Sequence, residues 1–257
     1  MKPDRTTVIR QLLFAKGHMS IADIASAVQA SEPTVRRDLV LLENERAVVR
    51  TRGGARIAEQ GGGEVAFETR EMLRLPEKRA ISEAAYDLLV PSSSIFMDAG
   101  TTVLQLGRLI RLRPLPLNVF TNCLPLAQVL MHVSGVRVTL LGGIVRPENA
   151  SVVGATAEDA LGRLRFDQVF LGMGAMGDDG AIYTADPLEA RLNATALQRT
   201  DSAIVLADSS KFGRYLTHQV VVAGEGMRVI TDADLGAGWR DRLEEHGVAV
   251  QLVDASS

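Results

Sequence analysis

The sequence predicts a two-part α/β protein: a small helical module with a β-hairpin over residues 1–57, a linker over 58–76 and a larger α/β domain over 77–257. Three observations carry this. Three short helix signatures and a glycine-turned hairpin crowd into the first part. A Gly61-Gly62-Gly63 run then interrupts the patterning, as flexible connections do. Beyond it, short apolar runs alternate with amphipathic stretches, the pattern of a mostly parallel sheet covered by helices. At 257 residues, 46% apolar and 23% charged, the composition is that of a soluble globular protein. The chain can bury sizeable cores without disulfides or metals.

The first helix is expected over Arg5–Lys16, with Val8, Ile9, Leu12 and Leu13 on one face and Gly17 as its stop. The second opens at Ser20, whose hydroxyl and the acid at Asp23 have capping-box spacing. The third opens at Ser31, tolerates Pro33 in its first turn and buries Val35, Leu39 and Leu42. Only Gln29-Ala30-Ser31 separates the last two, which is the sequence form of a helix-turn-helix. Opposite the apolar stripe of the third helix lie Thr34 and Arg37, with Arg36 on the flank. Such a face suits base edges and phosphates, and it is also what a solvated helix presents.

The hairpin tips the balance. Ala47 to Ile57 reads as two strands around Gly53-Gly54, bearing Arg50, Arg52 and Arg56. A basic wing of this kind can grip the backbone or minor groove of duplex DNA. Residues 1–57 carry 10 Lys+Arg against 6 Asp+Glu, and the remainder 18 against 25. A basic module on an acidic body can touch phosphates while the body stays clear of them, although the overall charge is −3.

In the larger domain, strands are expected at Ser94–Met97, Leu117–Thr121, Arg137–Leu141, Gln168–Leu171, Ala203–Ala207, Val220–Ala223, Arg228–Ile230 and Val248–Leu252. Parallel sheets bind ligands beyond the carboxyl ends of their strands. Those ends carry Asp98-Ala99-Gly100-Thr101-Thr102, Thr121-Asn122, Gly142-Gly143, Gly172-Met173-Gly174 and Asp208 to Gly213. Gly100 permits close approach of a ligand, and the hydroxyls of Thr101 and Thr102 open a helix whose free N–H groups favour an anion. Simple capping by either threonine explains the same residues.

Ser31 to Leu39, followed by Arg50-Thr51-Arg52-Gly53-Gly54-Ala55, resembles the DNA-binding domain of DeoR-family bacterial regulators. The resemblance implies a winged helix-turn-helix in which Ser31, Thr34, Arg36, Arg37, Arg50, Arg52, Gly53 and Gly54 contact double-stranded operator DNA. The family usually has His where Arg52 stands. The strand-end motifs, with Asp186, Glu189 and Lys211, resemble the family's sensor domain, which is similar in fold to ribose-5-phosphate isomerase and the CoA transferases. That implies a small-molecule effector, typically a sugar phosphate. Gly100, Thr101, Thr102 and Lys211 would hold its anion, and Asp98, Asp186 and Glu189 its hydroxyls. Thr121, Asn122, Gly142, Gly143 and Gly172 would line the same pocket. The family usually has Lys where Asn193 stands, so one cation near the pocket is missing.

The resulting expectation is a transcriptional regulator, a repressor of carbohydrate catabolism acting as a homo-oligomer without cofactor, metal or catalytic residues. The alternatives are an isomerase-like enzyme and an activator built from the same parts. His18, His132, His218 and His246 have no metal-ligand spacing, and Cys123 reads as a packing residue. Gly172-Met173-Gly174-Ala175-Met176-Gly177 lacks the acidic partner of a dinucleotide fingerprint. One cysteine, no apolar leader and no membrane-length apolar run fit a cytoplasmic protein.

Overall fold

The computed structural model describes residues 5–44, 48–51, 53–57 and 67–255, which fall into two units divided after Val65. Arg52 and all of Gly61-Gly62-Gly63 lie outside the described residues.

The first unit contains α1 (Arg5–Lys16), β1 (His18–Ser20), α2 (Ile21–Ala27), α3 (Glu32–Asn44), β2 (Val48–Thr51) and β3 (Gly54–Ile57). Its core is the expected one: Ile9, Leu13, Ile24, Val35, Leu39 and Leu42 are fully buried. Val8 and Leu12 are only half-buried. Ser20 caps α2, accepting from the Asp23 N–H at 3.1 Å and donating to its carboxylate at 2.6 Å. An acid in the arginine-rich stretch of α3 has a purely local task. Asp38 is buried and takes two hydrogen bonds from the Arg5 guanidinium, at 2.5 and 3.0 Å, which fastens α1 to α3.

β1 is the element that the sequence reading lacks. It pairs antiparallel with β3, making the hairpin a three-stranded sheet in the order β1-β3-β2. The two wing glycines acquire separate backbone reasons. Gly53 turns at φ +85°, a conformation that side chains oppose. A Cβ on Gly54 would lie 2.2 Å from the Met19 carbonyl oxygen, because β1 crosses directly against it.

The second unit begins with α4 (Phe67–Met72) and α5 (Leu75–Tyr86). The ordered domain therefore starts earlier than residue 77, inside the stretch read as linker. Phe67 explains this, since its ring is buried in the core with Ile81, Ala85 and Val103. There follow β4 (Ser94–Met97), α6 (Thr101–Leu112), β5 (Leu117–Thr121), α7 (Leu124–Leu130), β6 (Val136–Leu140), β7 (Ile144–Arg146), β8 (Ser151–Val153), α8 (Ala155–Gly162) and β9 (Gln168–Gly172). The remainder is β10 (Ala175–Met176), β11 (Ala181–Thr184), α9 (Pro187–Leu197), β12 (Ala203–Leu206), β13 (His218–Val222), β14 (Met227–Asp232), α10 (Trp239–Glu245) and β15 (Ala249–Val253).

Seven strands form one parallel sheet in the order β15-β14-β12-β9-β4-β5-β6. Side chains alternate across it, as strand geometry requires. On β4, Ile95 and Met97 join the core under α5, α6 and α7, while Phe96 joins the core under α8 and α9. β13 is expected as part of this sheet, and there the structure differs. β13 pairs antiparallel with β11 in a separate three-stranded sheet, and β7 with β8 in a hairpin. β13 follows a long connection from β12, and its pairing with β11 is set by tertiary contacts, while the short strands β7 and β8 pair locally across residues 147–150.

The order of the main sheet fixes where a ligand can bind. Strands proceed one way from β4 to β6 and the other way from β9 to β15. The order in which strands are added reverses between β4 and β9, and in parallel sheets a crevice opens beyond the carboxyl ends of such a pair.

Gly54→Ala tests the wing directly. The added methyl has no room beside the Met19 carbonyl, so the variant is expected to lose about 1–3 kcal/mol of stability in urea unfolding. Unchanged stability would contradict the β1–β3 pairing.

Candidate functional site

On the first unit, α3 presents Arg36 and Arg37 as exposed side chains, with Thr34 half-buried beside them. Arg36 makes a 3.3 Å ion pair with Glu32 one turn earlier on the same helix. The Ser31 and Thr34 hydroxyls lie 2.8 Å apart at the helix start. Arg50 on β2 is exposed and held by Glu43 at 2.7 Å. These pairs are between solvated groups and hold little energy, so phosphates can displace them. Gly53 and Gly54 shape the turn that carries the wing.

On the second unit, the predicted motifs at β4 and β9 meet at the switch point. Gly100 and Gly172 face each other so closely that a Cβ on either would sit 3.2 Å from the other's Cα. Asp98 accepts a hydrogen bond from the Gly172 N–H at 3.3 Å and from the Asn193 amide at 3.5 Å. Its side chain is almost fully buried, and among the described residues no cation comes within ion-pair distance. Burial pushes its carboxyl up to about 6, against the pull of the Ala99 and Gly172 N–H groups. Asn122 stands close enough to pull on the carboxylate too, yet neither of its amide atoms makes a hydrogen bond of ordinary geometry.

The capping alternative for the threonines does not hold. Gly100 is the N-cap of α6 and offers no side chain, so Thr101 and Thr102 are the first two helical residues. Both are buried. The first turn of α6 is thus left open on its axis, where a helix favours an anion.

Several other expected pocket residues have occupations of their own. Thr121 donates to the Met97 carbonyl at 2.6 Å and accepts from the Cys123 N–H at 3.0 Å, stapling β5 to β4. Asp186 caps α9, accepting from the N–H groups of Leu188 and Glu189 at 2.9 Å. Glu189 is buried and engaged by Arg146 at 2.6 Å, Thr184 at 2.9 Å and Asn149 at 3.2 Å. Gly143 has a Cβ position 2.6 Å from the Val153 carbonyl oxygen, so it serves the β7–β8 hairpin. Gly142 precedes it and is exposed.

Lys211 sits half-buried in the short turn Ser209–Lys211, which Asp208 caps. A second lysine stands within electrostatic reach of it. Lys78 is buried on α5 and donates to the Arg70 carbonyl. Burial lowers its ammonium to about 8; Asp208 opposes the shift, and the positive charges of Lys211 and Arg70 add to it. Next to Lys78 on the same helix, Ser82 bonds the carbonyls of Lys78 at 2.7 Å and Thr102 at 3.2 Å. Lys78 escaped the sequence reading although a signal existed. It falls three residues before Ile81 and seven before Ala85, on the buried face of the helix that also carries Ser82.

Two further residues brace this region. Asn149 donates to the Ala99 carbonyl at 3.0 Å and accepts from Arg70 at 2.7 Å. Arg74 pairs with Glu77, Asp208, Asp232 and Asp234 at 3.1–3.5 Å, tying the start of α5 to the carboxyl ends of β12 and β14. Cys123 is buried, and burial pushes its thiol up to about 12, as expected of a packing residue. Among the described residues, no group of His, Cys, Asp and Glu could hold a metal, and no helix is long and apolar enough to cross a membrane.

Comparison with known proteins gives a consistent picture. A DeoR-like helix-turn-helix domain model matches residues 5–61, and a DeoR C-terminal sensor domain model matches residues 74–233. The HTH-type transcriptional repressor CsqR of Escherichia coli K12 is 30% identical over 94% of this chain and 92% of its own. The lactose phosphotransferase system repressor of Staphylococcus epidermidis is 32% identical over 83% of this chain and 85% of its own. Among solved structures, ribose 5-phosphate isomerase A of Methanocaldococcus jannaschii aligns at 15% identity with a TM-score of 0.38, covering 52% of this chain and 53% of that one. With both family models and near-full-length relatives in agreement, the chain belongs to the DeoR family of DNA-binding transcriptional regulators.

Proposed function

We propose that this regulator is a cytoplasmic repressor of carbohydrate-utilisation genes, bound to its operator as a homo-oligomer and released by a phosphorylated sugar. One observation carries the effector part of this reading. The start of α6 has no side-chain cap and follows β4 at the sheet's switch point, Lys211 follows β12, and the buried Lys78 on α5 is within electrostatic reach of Lys211. The two ammonium groups make this place cationic even with Asp208 acting on Lys78, and cationic groups beside a helix N-terminus favour an added anion. A phosphoryl group is such an anion, and the polar residues around Asp98 then face the rest of the ligand.

The DNA part rests on the exposed arginines of α3 and the wing. Thr34, Arg36 and Arg37 read base edges and phosphates, while Arg50 and Arg52 hold the backbone. Oligomers of such heads recognise repeated half-sites. The effector acts by binding one arrangement of the assembly more tightly than the other, since a ligand shifts an equilibrium only through differential affinity. The names of the relatives support the sign of regulation, because both CsqR and the lactose system protein are repressors.

The isomerase alternative assigns acid-base chemistry to Asp98, Glu189 and Lys211. Against it, both oxygens of Glu189 are engaged by Arg146, Asn149 and Thr184.

Replacing Arg36 and Arg37 together by Ala is expected to lower specific operator affinity by about 100-fold or more, at two lost contacts of about 1–3 kcal/mol each. Circular dichroism of that variant should match the parent. Operator affinity retained in gel-shift titrations would remove α3 from the interface.

The second prediction concerns pH. A phosphate binds the protonated form of Lys78, so binding takes up a proton as pH approaches 8. Effector affinity should therefore fall as pH rises from 7 to 9. Lys78→Met should bind weakly and show a flat profile. A parent profile already flat over that range in calorimetric titrations would show that Lys78 does not face the anion.

A further inference from the structure

Around Asp98 lies a group of buried polar atoms to which the protein itself gives no hydrogen bond of ordinary geometry. These are Oδ1 of Asp98, Oδ1 of Asn193, both amide atoms of Asn122, and Oγ of Ser151. All four residues are at least nine-tenths buried. They converge because their elements do. Asp98 and Asn122 follow the adjacent parallel strands β4 and β5. Asn193 reaches Asp98 from α9. Ser151 bridges to Cys123, next to Asn122, from the β7–β8 hairpin. Buried polar atoms without partners are costly, and several together mark a place where a ligand completes the bonding.

The chemistry of this group is lopsided. Asn193 turns its amide N–H toward Asp98, so the atom that it leaves facing away is an oxygen. Three of the orphaned atoms are acceptors only, one is a donor, and one is a hydroxyl. The one formal charge among them is that of Asp98, and no neighbouring cation offsets it among the described residues. Hydroxyl groups donate into such a surface. Carboxylate and phosphate oxygens do not, and they add like charge in a desolvated place.

We infer that Asn193, by leaving Asp98 uncompensated and exposing an acceptor, makes this end of the site select a neutral, hydroxyl-bearing end of the effector and reject a second anionic group. The inference rests on the reading of the crevice as a sugar-phosphate site and specifies which phosphates it admits. Monophosphorylated aldoses fit. Their aldonate counterparts and bisphosphates, which carry an anion at both ends, do not.

The test uses matched probes on the full chain at pH 7.5. Glucose, galactose and mannose 6-phosphates are titrated calorimetrically beside 6-phosphogluconate, 6-phosphogalactonate and 6-phosphomannonate. The expected result is at least tenfold tighter binding of the aldose in the best-binding pair. Asn193→Lys should reduce that ratio at least tenfold by placing a cation beside Asp98. Should that variant misfold, Asp98→Asn serves instead, because removing the charge should relax the discrimination in the same direction. Equal or tighter binding of the aldonate by the parent overturns the inference and leaves the sugar-phosphate reading standing. So does a ratio that both folded variants leave unchanged. Failure of every probe to bind overturns the sugar-phosphate reading and this inference with it.

Discussion

The sensor unit depends on one close backbone approach. β4 and β9 lie side by side where the sheet changes direction, and their outgoing chains pass with Gly100 against Gly172. A methyl group on either would press on the other's backbone. The Asp98 carboxylate closes the gap by accepting the Gly172 N–H. From that contact follow the entry angle of α6, its bare N-terminus and the burial of Asp98 without a cation. Each is a cost to an isolated fold, and each is what a binding crevice needs. Natural proteins break local rules at functional places and are consistent elsewhere.

Around this point the buried polar groups divide cleanly. Glu189, Arg146, Thr184, Asp186 and Thr121 satisfy one another or the backbone. Breaking such a buried network typically costs several kcal/mol, about 3–5 when a charge is left alone. Asp98, Asn122, Asn193 and Ser151 keep unpartnered atoms. Asn149 stands between the sets, bonded to Glu189, to the Ala99 carbonyl and to Arg70. Through that one side chain, α4, the first described helix after the division between the units, is joined to the loop that opens the crevice.

Much of this was legible in the sequence. The apolar spacing of Val35, Leu39 and Leu42 gave the third helix, and all three are fully buried. Ser94–Met97 and Leu117–Thr121 match their strands residue for residue, since short β-rich runs bounded by turn residues leave little choice. What was not legible is set by contacts between distant residues. The three-residue β1 has no periodicity to read, and Gly54 is explained only once Met19 lies against it. Phe67 to Leu75 reads as charged and amphipathic, suited to pack on either domain, and Phe67 joins the core with Ile81 and Val103. Strand ends point to loops that meet beside β4 and β9 but do not separate braces from residues with unpartnered atoms. Thr121 and Asn122 are neighbours in sequence, and one is a staple while the other is unpartnered. Lys78 lies off every strand end, and its spacing from the apolar Ile81 and Ala85 is the available clue.

The central claim is that the crevice at the switch point receives a phosphorylated sugar with its anion on α6. A crystal structure of the full chain soaked with the tightest-binding hexose 6-phosphate tests this most directly. The account predicts the phosphorus over the first turn of α6, within ion-pair distance of Lys78 or Lys211, with a sugar hydroxyl donating to Asp98. A phosphate bound away from the α6 N-terminus, with no sugar hydroxyl on Oδ1 of Asp98, would contradict it.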